Sequence, residues 1–149
     1  MPTRGPKVRS PKIGPLNLPS LVPAEGGDVH GGEHYEARQF TDVDFGDSNL
    51  AGASFVECEL IGVQAGEAQL QAARFSESRL DRLNAPTLAA ARSGWSDVHI
   101  ANSRLGAGEL CDADLRAVHI VDSKLMFINL RSAQMRDVKF TGCAIDELD

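Results

Sequence analysis

Aromatic side chains are scarce in this 149-residue chain, at 5% with one Trp and one Tyr, so a few large rings cannot fill its interior. Many small and aliphatic side chains must do so, which suits a narrow, repetitive core. No apolar run approaches the roughly 18 residues of a membrane-spanning helix, which excludes a helical span. The basic opening MPTRGPKVRSPKIGP has no apolar stretch behind it and so is not a secretory leader, and a cytoplasmic protein is the expectation. Positive charge is in deficit: the net charge of -6 argues against general affinity for nucleic acid or an anionic membrane. The three cysteines, Cys58, Cys111 and Cys143, show no metal-like spacing and read as reduced thiols. No G-x-S-x-G, P-loop or G-x-G-x-x-G is present, so the chain reads as non-enzymatic and without a cofactor.

What the sequence does contain is a period of five. From Phe40 to Ile145 every fifth residue is apolar, 22 positions of 22. At 42% hydrophobic composition chance would produce this with a probability on the order of 10⁻⁸. The residue two before each of these positions is small or aliphatic almost throughout, as in Val43, Ser48, Ala53, Cys58 and Val63. An α-helix would spread such residues around its cylinder, since five residues turn it by roughly 500°. A flat strand would place half of the large residues in water. A short extended unit that turns a corner and repeats satisfies the pattern, giving a solenoid. Where the central residue is small, at Ala85 and Ala90, its inward neighbour is large, Leu83 and Leu88, which conserves local volume.

Residues 1–37 differ in kind, with six of the seven prolines and the Gly-rich run from Glu25 to Glu33. They read as an N-terminal arm before a 38–149 repeat domain. The cluster Leu16, Leu18, Leu21 and Val22 is expected to dock as a cap on the first coil.

Units such as Ala113-Asp114-Leu115, Ser48-Asn49-Leu50, Ala53-Ser54-Phe55 and Ile128-Asn129-Leu130 resemble the A-D/N-L-x-x pattern of the pentapeptide-repeat proteins. The resemblance implies an all-β fold, a right-handed quadrilateral β-helix with four fives to a coil and about five and a half coils. Residues 20 apart would then stack, one column being Phe40, Leu60, Leu80, Ile100, Ile120 and Phe140, another Phe55, Phe75, Trp95, Leu115 and Met135. The implied role is a protein-binding or scaffolding module. Some members of that family mimic DNA and bind gyrase or topoisomerase IV, conferring quinolone or toxin resistance, which makes a topoisomerase the alternative partner.

Two surface features could meet a partner. Residues 40–70 carry six acids, Asp42, Asp44, Asp47, Glu57, Glu59 and Glu67, and no Lys or Arg. Glu57, Glu77, Asp97 and Asp137 continue the acid along one edge, opposed by Arg74, Arg92, Arg116 and Arg136. The second feature is apolar: Val121, Met126 and Phe127 at outward positions, with Phe140 and Ile145 in the last coil. An edge with little sequence left to cover it invites pairing, so a homodimer through the C-terminal ends is expected. His99 and His119 stack on one face, and His30 and His34 sit in a Gly-rich segment; both pairs read as solvated histidines rather than metal ligands. Cys58 and Cys143 read as core residues, Cys111 as the outward thiol.

Overall fold

The computed structural model describes residues 12–148. Those residues coil into a solenoid of about six turns made of parallel strands, with no α-helix among them. The 3₁₀ turn Gly26–Asp28 is their one helical segment. Two strips of strands carry the coil. The first holds β1 (Val22–Ala24), β2 (His34–Glu36), β3 (Arg38–Thr41), β4 (Ser54–Val56), β5 (Glu59–Ile61), β6 (Arg74–Asp81), β8 (Gly94–Ala101), β10 (Asp114–Val121) and β12 (Gln134–Thr141). The second holds β7 (Asn84–Ala85), β9 (Arg104–Leu105), β11 (Lys124–Ile128) and β13 (Ala144–Leu148).

The register is twenty residues throughout the coils. Phe55 pairs with Phe75, Phe75 with Trp95, Trp95 with Leu115 and Leu115 with Met135. A third side is stitched by single bridges, Asn49 to Gln69, Gln69 to Ala89, Ala89 to Glu109 and Glu109 to Asn129. Four fives therefore make one coil, and successive coils lie about 4.8 Å apart. The count exceeds the sequence expectation because one further five, centred on Tyr35 in β2, precedes Phe40 and pairs with β4.

Each corner is set by one residue. In the longest strands, β6, β8, β10 and β12, the chain turns in mid-strand at Glu77, Asp97, Ala117 and Asp137, all left-handed with φ of 49°, 55°, 53° and 57°. This conformation costs a non-glycine residue roughly 1–2 kcal/mol, so the packing inside must outweigh it. Glycine and side chains with a local hydrogen-bonding alternative tolerate it best, and Asp, Asn and Gly hold nine further left-handed corners, at Gly32, Asp42, Gly46, Gly52, Gly62, Asn102, Asp112, Asp122 and Gly142.

Inside, the eighteen five-residue centres from Phe40 to Leu125 are all buried. Burying each large one contributes about 1.5–3 kcal/mol. Tyr35, Phe55, Phe75 and Trp95 form a stack with centroid separations of 5.4, 5.0 and 4.3 Å and interplanar angles of 23°, 10° and 13°. Small polar residues fit the second inward row because they serve the corners. Ser103 Oγ donates to Ala101 O at 2.8 Å and accepts from Leu83 N at 3.0 Å. Ser123 repeats the arrangement one coil on, with Val121 O and Ser103 N. Trp95 Nε1 donates to Ser93 Oγ at 2.8 Å, so the largest ring keeps its polar atom satisfied. Ser48, at the same kind of position, is exposed instead.

The arm is placed differently from the expected cap. β1 lies parallel to β3, with Val22 opposite Arg38 and Ala24 opposite Phe40. Ala24 packs against the core, but Val22 is 53% exposed. The residue sealed into the N-terminal end is Val29, just after the 3₁₀ turn and 4% exposed. Upstream of β1 the chain runs along the outside of the coils, and the Lys12 amide donates to Asp137 Oδ1 at 3.1 Å.

Candidate interaction surfaces

The acidic edge is a true column. Glu57, Glu77, Asp97 and Asp137 occupy the same corner of successive coils, with Ala117 between the last two, and all are left-handed. Carboxylates stacked at the coil spacing repel one another, which leaves the edge ready to accept donors. Part of it is already covered. Ile13, Gly14, Pro15, Leu16 and Asn17 close over Glu77, Asp97 and His99 around a space of about 270 Å³, and Lys12 reaches Asp137.

The other acids are scattered by the geometry. Asp42, Asp44, Asp47 and Glu67 are exposed near the N-terminal coils, and Asp44 Oδ1 is held by the Gly46 amide at 2.8 Å. Glu59 is covered by its register neighbours: it accepts from Gln39 Nε2 at 2.8 Å, lies 3.6 Å from Arg79 Nη1, and its side chain is 13% exposed. The arginines expected to oppose the acid do not share one column. Arg116 and Arg136 are register partners, Arg74 lies opposite Gly94, and Arg92 sits on a left-handed corner.

The apolar feature lies at the C-terminal end. β12 and β13 are the edge strands there among the described residues. Met135, Ile145 and Leu148 are 44%, 44% and 45% exposed, while Leu130 and Phe140 are half-buried against the core. Phe127 stands on the flank, 52% exposed with φ of 54°. A bulky ring in that conformation and in water is unfavourable on both counts. Val121 and Met126 are half-buried beside it in sequence. Leu148 occupies the second inward row, as Ile128 does one coil earlier.

The histidines and cysteines have ordinary surroundings. The His99 and His119 rings meet edge to face at 6.1 Å, and His119 Nε2 lies 2.8 Å from Thr141 Oγ1. Desolvation, then Lys139 and His99, lower the His119 pKa from its usual value. No cluster of three or more His, Cys, Asp or Glu able to hold a metal occurs among the described residues. His34 lies 3.9 Å from Glu36, and the His30 amide donates to the Tyr35 hydroxyl at 2.7 Å. Cys58 is buried and its thiol pKa raised by desolvation. Cys111 and Cys143 are half-buried.

Residues 39–77 match the family model of pentapeptide repeats, in 8 copies. Among solved structures, QnrB1, a plasmid-mediated fluoroquinolone resistance protein, aligns over 84% of this chain and 89% of its own, at 11% identity and a TM-score of 0.30. Rfr23, a pentapeptide-repeat protein of the cyanobacterium Cyanothece, aligns over 78% and 86%, at 13% identity and a TM-score of 0.29. HetL, a pentapeptide-repeat protein involved in heterocyst differentiation regulation in Nostoc, aligns over 82% and 89%, at 12% identity and a TM-score of 0.29. Scores this low assign no property of those proteins to this one. No curated protein sequence matches the chain significantly. The pentapeptide repeats recognised in 39–77 continue in the same five-residue phase through the later coils, so the chain carries that repeat and the β-helix fold that goes with it.

Proposed function

We propose that this protein is a non-enzymatic binding module that docks through its apolar C-terminal end, and that its first partner there is a second copy of itself. The observation that carries this is the coincidence of β12 and β13, the edge strands at this end among the described residues, with exposed Met135, Ile145 and Leu148. Edge strands offer backbone donors and acceptors, and apolar residues offer area to bury, so end-to-end pairing satisfies both. Phe127 on the flank supplies an aromatic anchor of the kind that dominates interface energies. Light scattering at micromolar concentration should give twice the 16.0 kDa chain mass, and Ile145→Lys should return it to 16.0 kDa. A 16.0 kDa mass for the parent protein would overturn self-association.

A second reading rests on the acidic column: a DNA-mimicking protein that binds gyrase or topoisomerase IV and confers quinolone or toxin resistance. The arm over Glu77, Asp97 and Asp137 weighs against it, because a topoisomerase would have to displace that segment. Salt-sensitive inhibition in a gyrase supercoiling assay would support this reading; no inhibition and no protection from a quinolone at large molar excess would dismiss it.

A further inference from the structure

On the corner that leads into the β7, β9 and β11 strip, the chain assembles cations that its overall charge of -6 hides. Arg104 and Lys124 are register partners in adjacent coils, so two positive side chains of like direction sit one coil spacing apart. Like charges placed directly opposite on a sheet destabilise it. Neither has an acidic partner among the described residues. Arg82, on the preceding coil and two residues before Asn84, the register partner of Arg104, lies 4.0 Å from Asp81. The three line one open groove of about 560 Å³ together with Asn84 and Asn102. Asp122 is the one acid in its wall, and its carboxylate is directed at the Gly142 backbone of the next coil.

We propose that this groove binds a linear polyphosphate group. Three cations at three successive coil levels require negative charge spread along a line, which a single carboxylate lacks. An extended acidic peptide would present like-facing side chains every 6.6–6.8 Å or so, out of step with coils about 4.8 Å apart. Guanidinium forks and an ammonium are both suited to phosphate oxygens. No aromatic side chain lines the groove, so the phosphate chain is read and an attached nucleobase is not. Bound anion would also remove the repulsion between Arg104 and Lys124.

Isothermal titration of the full-length protein with tripolyphosphate and with ATP, at low salt and without divalent metal, tests this. Saturable binding of both is expected, with similar affinity. The double variant Arg104→Gln/Lys124→Gln, at two exposed positions, should bind each at least about tenfold more weakly, as loss of a charge-assisted contact implies. Asp122→Asn should bind more tightly. Absence of saturable binding, equal binding by the double variant, or binding of ATP without tripolyphosphate would each overturn the proposal.

Discussion

Phe75 is the point where the aromatic ladder can be interrogated most cleanly. It is 3% exposed and stacks on both sides, with Phe55 at 5.0 Å and Trp95 at 4.3 Å. Phe75→Leu keeps an apolar side chain in the column and removes both ring pairs. Each pair contributes about 0.5–1.5 kcal/mol beyond its buried area, so the substitution should cost about 1–3 kcal/mol from stacking alone. Any cavity left by the smaller side chain adds to this. The assay is denaturant unfolding followed by circular dichroism, for the parent, Phe75→Leu, Trp95→Leu and the double variant. The cycle isolates one ring pair, and its coupling should be about 0.5–1.5 kcal/mol. Trp95→Leu also frees Ser93 Oγ of its indole donor, but that bond is common to both arms of the cycle and cancels. A single-variant loss within the roughly 0.5 kcal/mol of an ordinary surface change, together with zero coupling, would refute the ladder as a source of stability.

Leu105→Asp would bury an uncompensated carboxylate between Ala85 and Leu125 and should abolish the cooperative unfolding transition. Gly108 lies between Leu88 and Ile128 in the second inward row, and a Cβ there would stand 2.5 Å from Ile128 Cδ1; Gly108→Val should cost about 1–3 kcal/mol by overpacking, measured by the same unfolding assay. For His119 the folded state holds fewer protons than the unfolded chain as pH falls through the usual imidazole value of 6.5, so its contribution is present above that pH and is lost below it. A shallow decline of stability with acidification is expected there, and His119→Gln should flatten it. Phe127→Asn places a residue tolerant of φ near 54° on that corner, so stability should hold within about 1 kcal/mol or rise while self-association by light scattering weakens.

The inward half of each five was legible because volume and polarity decide it. Phe55, Phe75 and Trp95 fall in one column once the resemblance supplies four fives to a coil, and the structure stacks them. The corner residues were legible in principle and were not read: Asp97, Asp112, Asp122 and Asn102 at one fixed position of the five mark left-handed backbone. Tyr35 escaped because Arg38 broke the small-residue row just before Phe40. The path of the arm could not be read, since its contact at Lys12 uses a backbone amide that any residue carries. Met135 and Ile145 obey the period and yet are exposed. The period says which way a side chain points within its coil and nothing about what lies over the coil. Arg104 and Lys124 look unrelated in sequence, and only the twenty-residue register sets them side by side.

That register is the central claim, and deletion tests it most directly. Removing residues 97–116 excises one whole coil, joining Ser96 to Ala117 with every later residue still stacked on its own column. Removing Asp97 alone shifts each later inward side chain by one position and turns it to the other face. Unfolding followed by circular dichroism should show a cooperative β transition for the twenty-residue deletion, at reduced stability, and none for the single deletion. Retention of the parent transition by the single deletion, or equal loss in both, would contradict a coil of four five-residue sides.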